Sequence, residues 1–111
     1  MGGGILTGAY RELKEYPPSD SRNRFYKHFK EPMFSKVQEL LKVMDQVSAD
    51  NSGMPLSQIA LNWSSSRPFI STCIVGAQTR DKVMQNTAAF DRSLSQEDLD
   101  RLDEAIRTCL A

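Results

Sequence analysis

Only one histidine and two cysteines occur in the 111 residues, and fourteen basic side chains cancel fourteen acidic ones to leave no net charge. The balanced charge gives no global field to draw the chain onto nucleic acid or an anionic membrane surface. Apolar runs are only a few residues long, far short of the roughly 18 that a bilayer-spanning helix needs. A secretory leader is not recognisable, since Met1-Gly2-Gly3-Gly4 carries no basic residue and no apolar stretch follows. Leu6 stands where N-myristoylation requires Ser or Thr. Cys73 and Cys109 lie far apart, with neither a second cysteine nor a histidine beside them. That speaks for two reduced thiols, no disulfide and no metal site. Without an export signal the Asn62-Trp63-Ser64 sequon reads as coincidence, and the expected location is cytoplasmic. What remains is ordinary: 40% hydrophobic and 25% charged residues, the composition of a globular chain. At this length it makes one domain at most.

Residues 1–32 read as irregular. Glycines crowd the first eight positions, and Pro17-Pro18, Ser19, Asp20, Ser21 and Pro32 are turn and breaker chemistry. Four helices are predicted beyond them. The first covers 33–49, with Met33, Val37, Leu40, Leu41, Met44 and Val47 at three- and four-residue spacing, and Asn51-Ser52-Gly53 stops it. The second covers 55–66, with Pro55 at the first helical position, Leu56, Ile59, Ala60 and Trp63 on one face, and Pro68 ending it. The third covers 80–90 and is capped by Thr79. The fourth covers 96–109. Its start carries a capping box of Ser95 with Asp98 and a hydrophobic staple of Leu94 with Leu99. Between the second and third helices, the β-branched run 70–75 closes on Gly76 and predicts one buried strand.

A lone buried strand cannot satisfy its own backbone, and nothing else in the chain has the character of a neighbour for it. Helix, loop, strand, loop, helix is how a βα barrel reads when entered near its end. The expected class is therefore α/β: a C-terminal fragment of a (β/α)8 TIM barrel, mostly helical with one strand, spanning 1–111. Its helices are expected to collapse partly around Leu40, Met44, Ile59, Trp63, Leu102 and Ile106.

The most chemically suggestive segment is 73–86. A strand ends, Gly76 lets the backbone approach a ligand, and a helix opens with free N–H groups that favour an anion. At about 100° per residue, Gln78, Lys82, Gln85 and Asn86 share an arc of roughly 80°, while Val83, Thr87 and Phe90 form a separate, packed arc. Amides can read a purine edge, and a lysine can meet a phosphate. The same cluster also fits a solvated helix face.

Several motifs then fall in register. Ile74-Val75-Gly76-Ala77, with Val83 and Asn86, is followed by Ala88-Ala89-Phe90 and Leu94-Ser95-x-Glu97-Asp98. Upstream stand Gly2-Gly3-Gly4-Ile5-Leu6-Thr7-Gly8-x-Tyr10, Ser21-Arg22-x-Arg24-Phe25 and Pro55-x-Ser57-Gln58-Ile59-Ala60-Leu61-Asn62-Trp63. In this order and at these distances the chain resembles the C-terminal part of the aldo/keto reductase family. The resemblance implies a barrel with NADP bound at the C-terminal ends of its strands. It assigns 33–49 to an extra helix, 55–66 to helix seven, 70–75 to strand eight, 80–90 to helix eight and 96–109 to a closing helix. It implies that Met1, Gly2 and Gly3 lie along the cofactor diphosphate, and that Arg22 or Arg24 reaches over the same phosphates. Gly76 and Gln78 would meet the adenosine phosphate region, Lys82 the 2′-phosphate, and Gln85 and Asn86 the adenine. Gln85 stands where Glu is usual and Ala9 where a basic residue is frequent, which implies an affinity below the family's norm.

The family reaction passes a hydride from NADPH to a carbonyl while a Tyr, helped by Lys, Asp and His, donates the proton. All four belong to the barrel's first half, so no residue of 1–111 is expected to be catalytic. His28 is expected in a solvated loop and Trp63 in the core. Three classes of protein stay open: the C-terminal part of a reductase of aldehydes or ketones, a small helical interaction module, and a half-barrel that self-associates through unpaired strand edges or complements a partner.

Overall fold

A computed structural model describes residues 1–111. A 3-10 turn, Gly2–Thr7, opens the chain; α1 (Ser21–Arg24) and a second 3-10 turn, Lys27–Phe29, follow. Four longer helices come next: α2 (Met33–Asp50), α3 (Leu56–Ser65), α4 (Arg80–Ala88) and α5 (Gln96–Leu110). All four lie where periodicity puts them, within two residues at each end. Pro55 sits just ahead of α3 as its N-cap rather than inside it.

The core forms where α2 packs along α5, with α3 across them. Leu40, Leu41, Met44 and Val47 of α2 meet Ile59 of α3 and Leu99 and Leu102 of α5, all buried. Trp63 and Ile106 pack against the edge, completing the expected collapse. The caps are also as expected. Thr79 accepts from the Lys82 amide and Ser95 from the Asp98 amide, and both staple residues, Leu94 and Leu99, are in the core. Asp98 itself turns elsewhere: its carboxylate accepts from Asn51 Nδ2 at 2.9 Å and from Arg101 at 3.1 Å, tying α5 to the end of α2.

Asn62 is the sequon residue, and it is structural. It is buried; its Nδ2 donates to the carbonyls of Ala89 and Arg92 at 3.0 and 2.6 Å, and its Oδ1 accepts from the Leu94 amide at 3.0 Å. One side chain thereby pins the loop between α4 and α5 onto α3.

Two expectations fail, for one physical reason. Residues 70–75 form no strand. The segment carries a strand's side chains, but between the Ile70 amide and the carbonyl of Thr79 no backbone group pairs with another. Pairing needs neighbours, and none lies within 1–111. The face of α4 expected to pack is likewise exposed: Val83 is 46% and Phe90 53% accessible. Asn86 and Ala89 are buried instead, against α3. Without a sheet to cover, α4 rests on its small and amide side chains.

An ionic contact joins α3 and α5. Trp63 Nε1 donates to Asp103 at 2.7 Å, and Arg67, stacked 4.4 Å over the indole, reaches the same carboxylate at 3.1 Å. The Trp63 hydrogen bond, followed by Arg67, holds Asp103 below the usual carboxylate range. A depressed acid contributes stability above its ordinary pKa, near 3.8, and loses it as pH falls below that value. Asp103→Ala should therefore destabilise the chain by about 1 kcal/mol at neutral pH and progressively less in acid. Urea titrations at pH 7 and pH 3 check this, and equal losses at both would remove Asp103 from the account.

Candidate functional site

The chain opens on a left-handed turn. Gly2, Gly3 and Gly4 take φ of 61°, 67° and 95°, values that side chains with a Cβ rarely adopt. At Gly3 a Cβ would also stand 3.0 Å from the Tyr26 ring. The turn is held by the loop carrying Tyr26, His28 and Phe29. His28 Nε2 lies 2.6 Å from the Gly2 carbonyl; a carbonyl only accepts, so Nε2 carries the proton. His28 is accordingly half-buried and bonded to backbone, not solvated as the sequence suggested. No local pattern signals a contact spanning 26 positions.

Arg22 stands over the adjoining aromatic cluster. Its guanidinium lies 4.2 Å from the Tyr16 ring centroid and 5.6 Å from that of Tyr10, whose hydroxyl accepts from Nη1 at 3.4 Å. Nε and Nη2 both donate to Asp20, at 2.9 and 2.6 Å, and this bidentate hydrogen bond holds the Asp20 carboxyl down at about 2. The Arg22 guanidinium is in turn shifted further toward its charged form by Asp20. Arg24 points away, exposed, with its guanidinium 5.3 Å over Phe25. Of the two, only Arg22 is linked to the glycine turn, through the Tyr10 ring, which a Cβ at Gly4 would meet at 3.3 Å.

The second set of expected site residues gathers around α4. Gly76 is exposed, and a Cβ there would meet nothing within 4 Å. Asn86, buried, donates from Nδ2 to the Gly76 carbonyl at 3.4 Å and so fixes the approach to the helix. Gln78, Lys82 and Gln85 are exposed, and the Gln85 carbonyl accepts from Gln58 Nε2 at 2.9 Å. The amides of residues 76–78 have no backbone partner.

An apolar groove of about 570 Å³ runs from the start of the glycine turn to the segment ahead of Gly76, and neither Arg22 nor any of the expected residues from 76 onward lines it. Met1 and Gly2 line one side, Cys73, Ile74 and Val75 another, and Trp63 and Ile106 form its floor. Lys82 and Gln85 are not on its wall. The structure thus brings Met1, Gly2 and the 73–75 segment together, and leaves the α4 face beside them rather than facing them. No group of three His, Cys, Asp or Glu side chains is placed to hold a metal ion. No helix is long and apolar enough to cross a membrane.

Comparison with known proteins gives one consistent family. The model of the aldo/keto reductase family matches residues 1–107. The chain is 30% identical over 112 aligned residues to the "Probable voltage-gated potassium channel subunit beta" of Arabidopsis thaliana, covering 97% of this chain and 34% of that protein. It is 30% identical over 92 residues to "Aldo-keto reductase family 1 member A1" of Rattus norvegicus, covering 83% of this chain and 26% of that protein. It is 26% identical over 103 residues to "Protein tas" of Escherichia coli K12, with 93% and 29% covered. The chain therefore spans about a third or less of the length of these relatives. No solved structure matches it.

Proposed function

Because the chain belongs to the aldo/keto reductase family, we propose that residues 1–111 form the C-terminal part of the cofactor wall of an NADP-dependent barrel that reduces aldehydes or ketones. The observation that supports this most directly is the shared groove. Met1 and Gly2 line it together with Cys73 to Val75, although α2 and α3 separate these segments in sequence. Bound NADPH supplies the hydride. The chain's own part is to bind and orient. Gly2 and Gly3 carry no side chains of their own toward the diphosphate, while His28 and Tyr26 pack behind them, and Arg22 supplies a cation for it. The open space at Gly76 and the free amides at 76–78 admit an anionic group ahead of α4, with Gln78 alongside. Lys82 offers a point charge for the 2′-phosphate. Gln85 lies toward the adenine, and Asn86 contributes by holding Gly76 in place.

The test belongs to the full-length barrel. Lys82→Glu should weaken NADP by about tenfold or more while leaving NAD nearly unchanged. A unit pair near 4 Å is worth about 1 kcal/mol in water, and reversal turns that attraction into repulsion. Fluorescence titrations giving equal losses for both cofactors would count against the assignment.

A second reading, a half-barrel completed by a second copy or a partner chain, is favoured by residues 71–78, whose backbone makes no backbone hydrogen bond. Light scattering on size-exclusion fractions separates the two: concentration-dependent oligomers support it, and a persistent monomer supports the first reading.

A further inference from the structure

Arg22 is not free to receive an anion. The edge of its guanidinium formed by Nε and Nη2, the one best shaped for a bidentate oxyanion, is already filled by both oxygens of Asp20. Its remaining face is stacked on Tyr16, and Nη1 leans on the Tyr10 hydroxyl. A phosphate oxygen approaching this group meets a carboxylate first. Asp20 has a second task, because its Oδ1 also accepts from the Arg22 amide and caps α1. The pair is half-sheltered, with side-chain accessibilities of 31% for Arg22 and 19% for Asp20.

We infer that Asp20 is an internal stand-in for the ligand's diphosphate: it holds Arg22 in its stacked pose, and it must be displaced from the guanidinium when the diphosphate binds. Binding at this end of the site is then an exchange of one anion for another. Asp20 serves as a positioning residue that sets affinity by competition. This rests on the proposed function only in taking Arg22 as a phosphate contact.

Asp20→Asn separates the two tasks of the side chain. Asparagine caps a helix as well as aspartate does, so α1 keeps its start while the competing charge is lost. With the 111-residue chain and inorganic pyrophosphate as probe, calorimetric titration should show D20N binding about two- to fivefold tighter than wild type, the size expected for loss of a partly exposed ion pair. Arg22→Gln should weaken binding, and in that background D20N should give no gain. Circular dichroism confirms folding, and Asp20→Ser, which also caps, takes the place of any D20N that does not fold. If R22Q weakens binding but D20N does not tighten it, or tightens it equally without Arg22, Asp20 has no such role and the phosphate reading of Arg22 survives. If R22Q leaves affinity unchanged, or if neither wild type nor D20N binds, the phosphate reading fails and this inference falls with it.

Discussion

Asn62→Ala should abolish the cooperative thermal transition of the chain. The substitution removes three hydrogen bonds at once, leaving the Leu94 amide and the carbonyls of Ala89 and Arg92 without partners. Each buried group left unpaired costs about 1–3 kcal/mol. Domains of this size have only about 5–15 kcal/mol in total. Asn62→Asp should do almost as much harm, because a carboxylate would face two carbonyls that need a donor. Circular dichroism melts decide: a variant curve superimposed on wild type would mean that something other than Asn62 holds the loop between α4 and α5.

Purified residues 1–111 should oxidise no NADPH with simple aldehydes. The resemblance implies that the proton donor of the family reaction and its helpers lie outside these residues, and positioned acid–base groups alone contribute about 10²–10⁴-fold. The one histidine is engaged, since His28 donates to the Gly2 carbonyl. Stopped-assay absorbance at saturating NADPH is the check. A saturable rate that disappears on mutating a residue of this chain would overturn both the prediction and the fragment reading.

The parts of the fold visible in the sequence are those decided locally. Helix spans follow from apolar spacing, and the Thr79 and Ser95 caps from residues three positions apart, so each is settled within one or two turns. The parts that were misread depend on partners. Residues 70–75 have a strand's composition, yet a strand is a relation between segments, and its other member is missing here. Val83 and Phe90 are apolar and predict an inward face, but inwardness requires something to face. Long-range polar contacts escaped notice for a different reason. Asn62 meets backbone groups about thirty positions away and His28 one that is 26 away, and backbone groups carry no residue-specific signal. The candidate site shows the same division. The glycine-rich opening and the Thr79 cap of α4 are visible in the sequence, whereas the segment leading to α4 is not the strand it resembles, and the capture of Arg22 by Asp20 has no sequence signature even though the two residues are near neighbours.

The open stretch at 71–78 also bears on time. An edge that must first shed a covering loop or an earlier partner is captured slowly, because association is slower when binding requires a conformational change. Here no amide or carbonyl of 71–75 has a backbone partner, and the run already lines the groove with Trp63 and Ile106. An incoming segment that pairs with 71–75 has no backbone hydrogen bond to break. Assembly with the rest of a sheet is then limited by encounter and alignment, and its rate should rise in proportion to the concentration of the incoming chain instead of levelling off at the pace of an internal rearrangement.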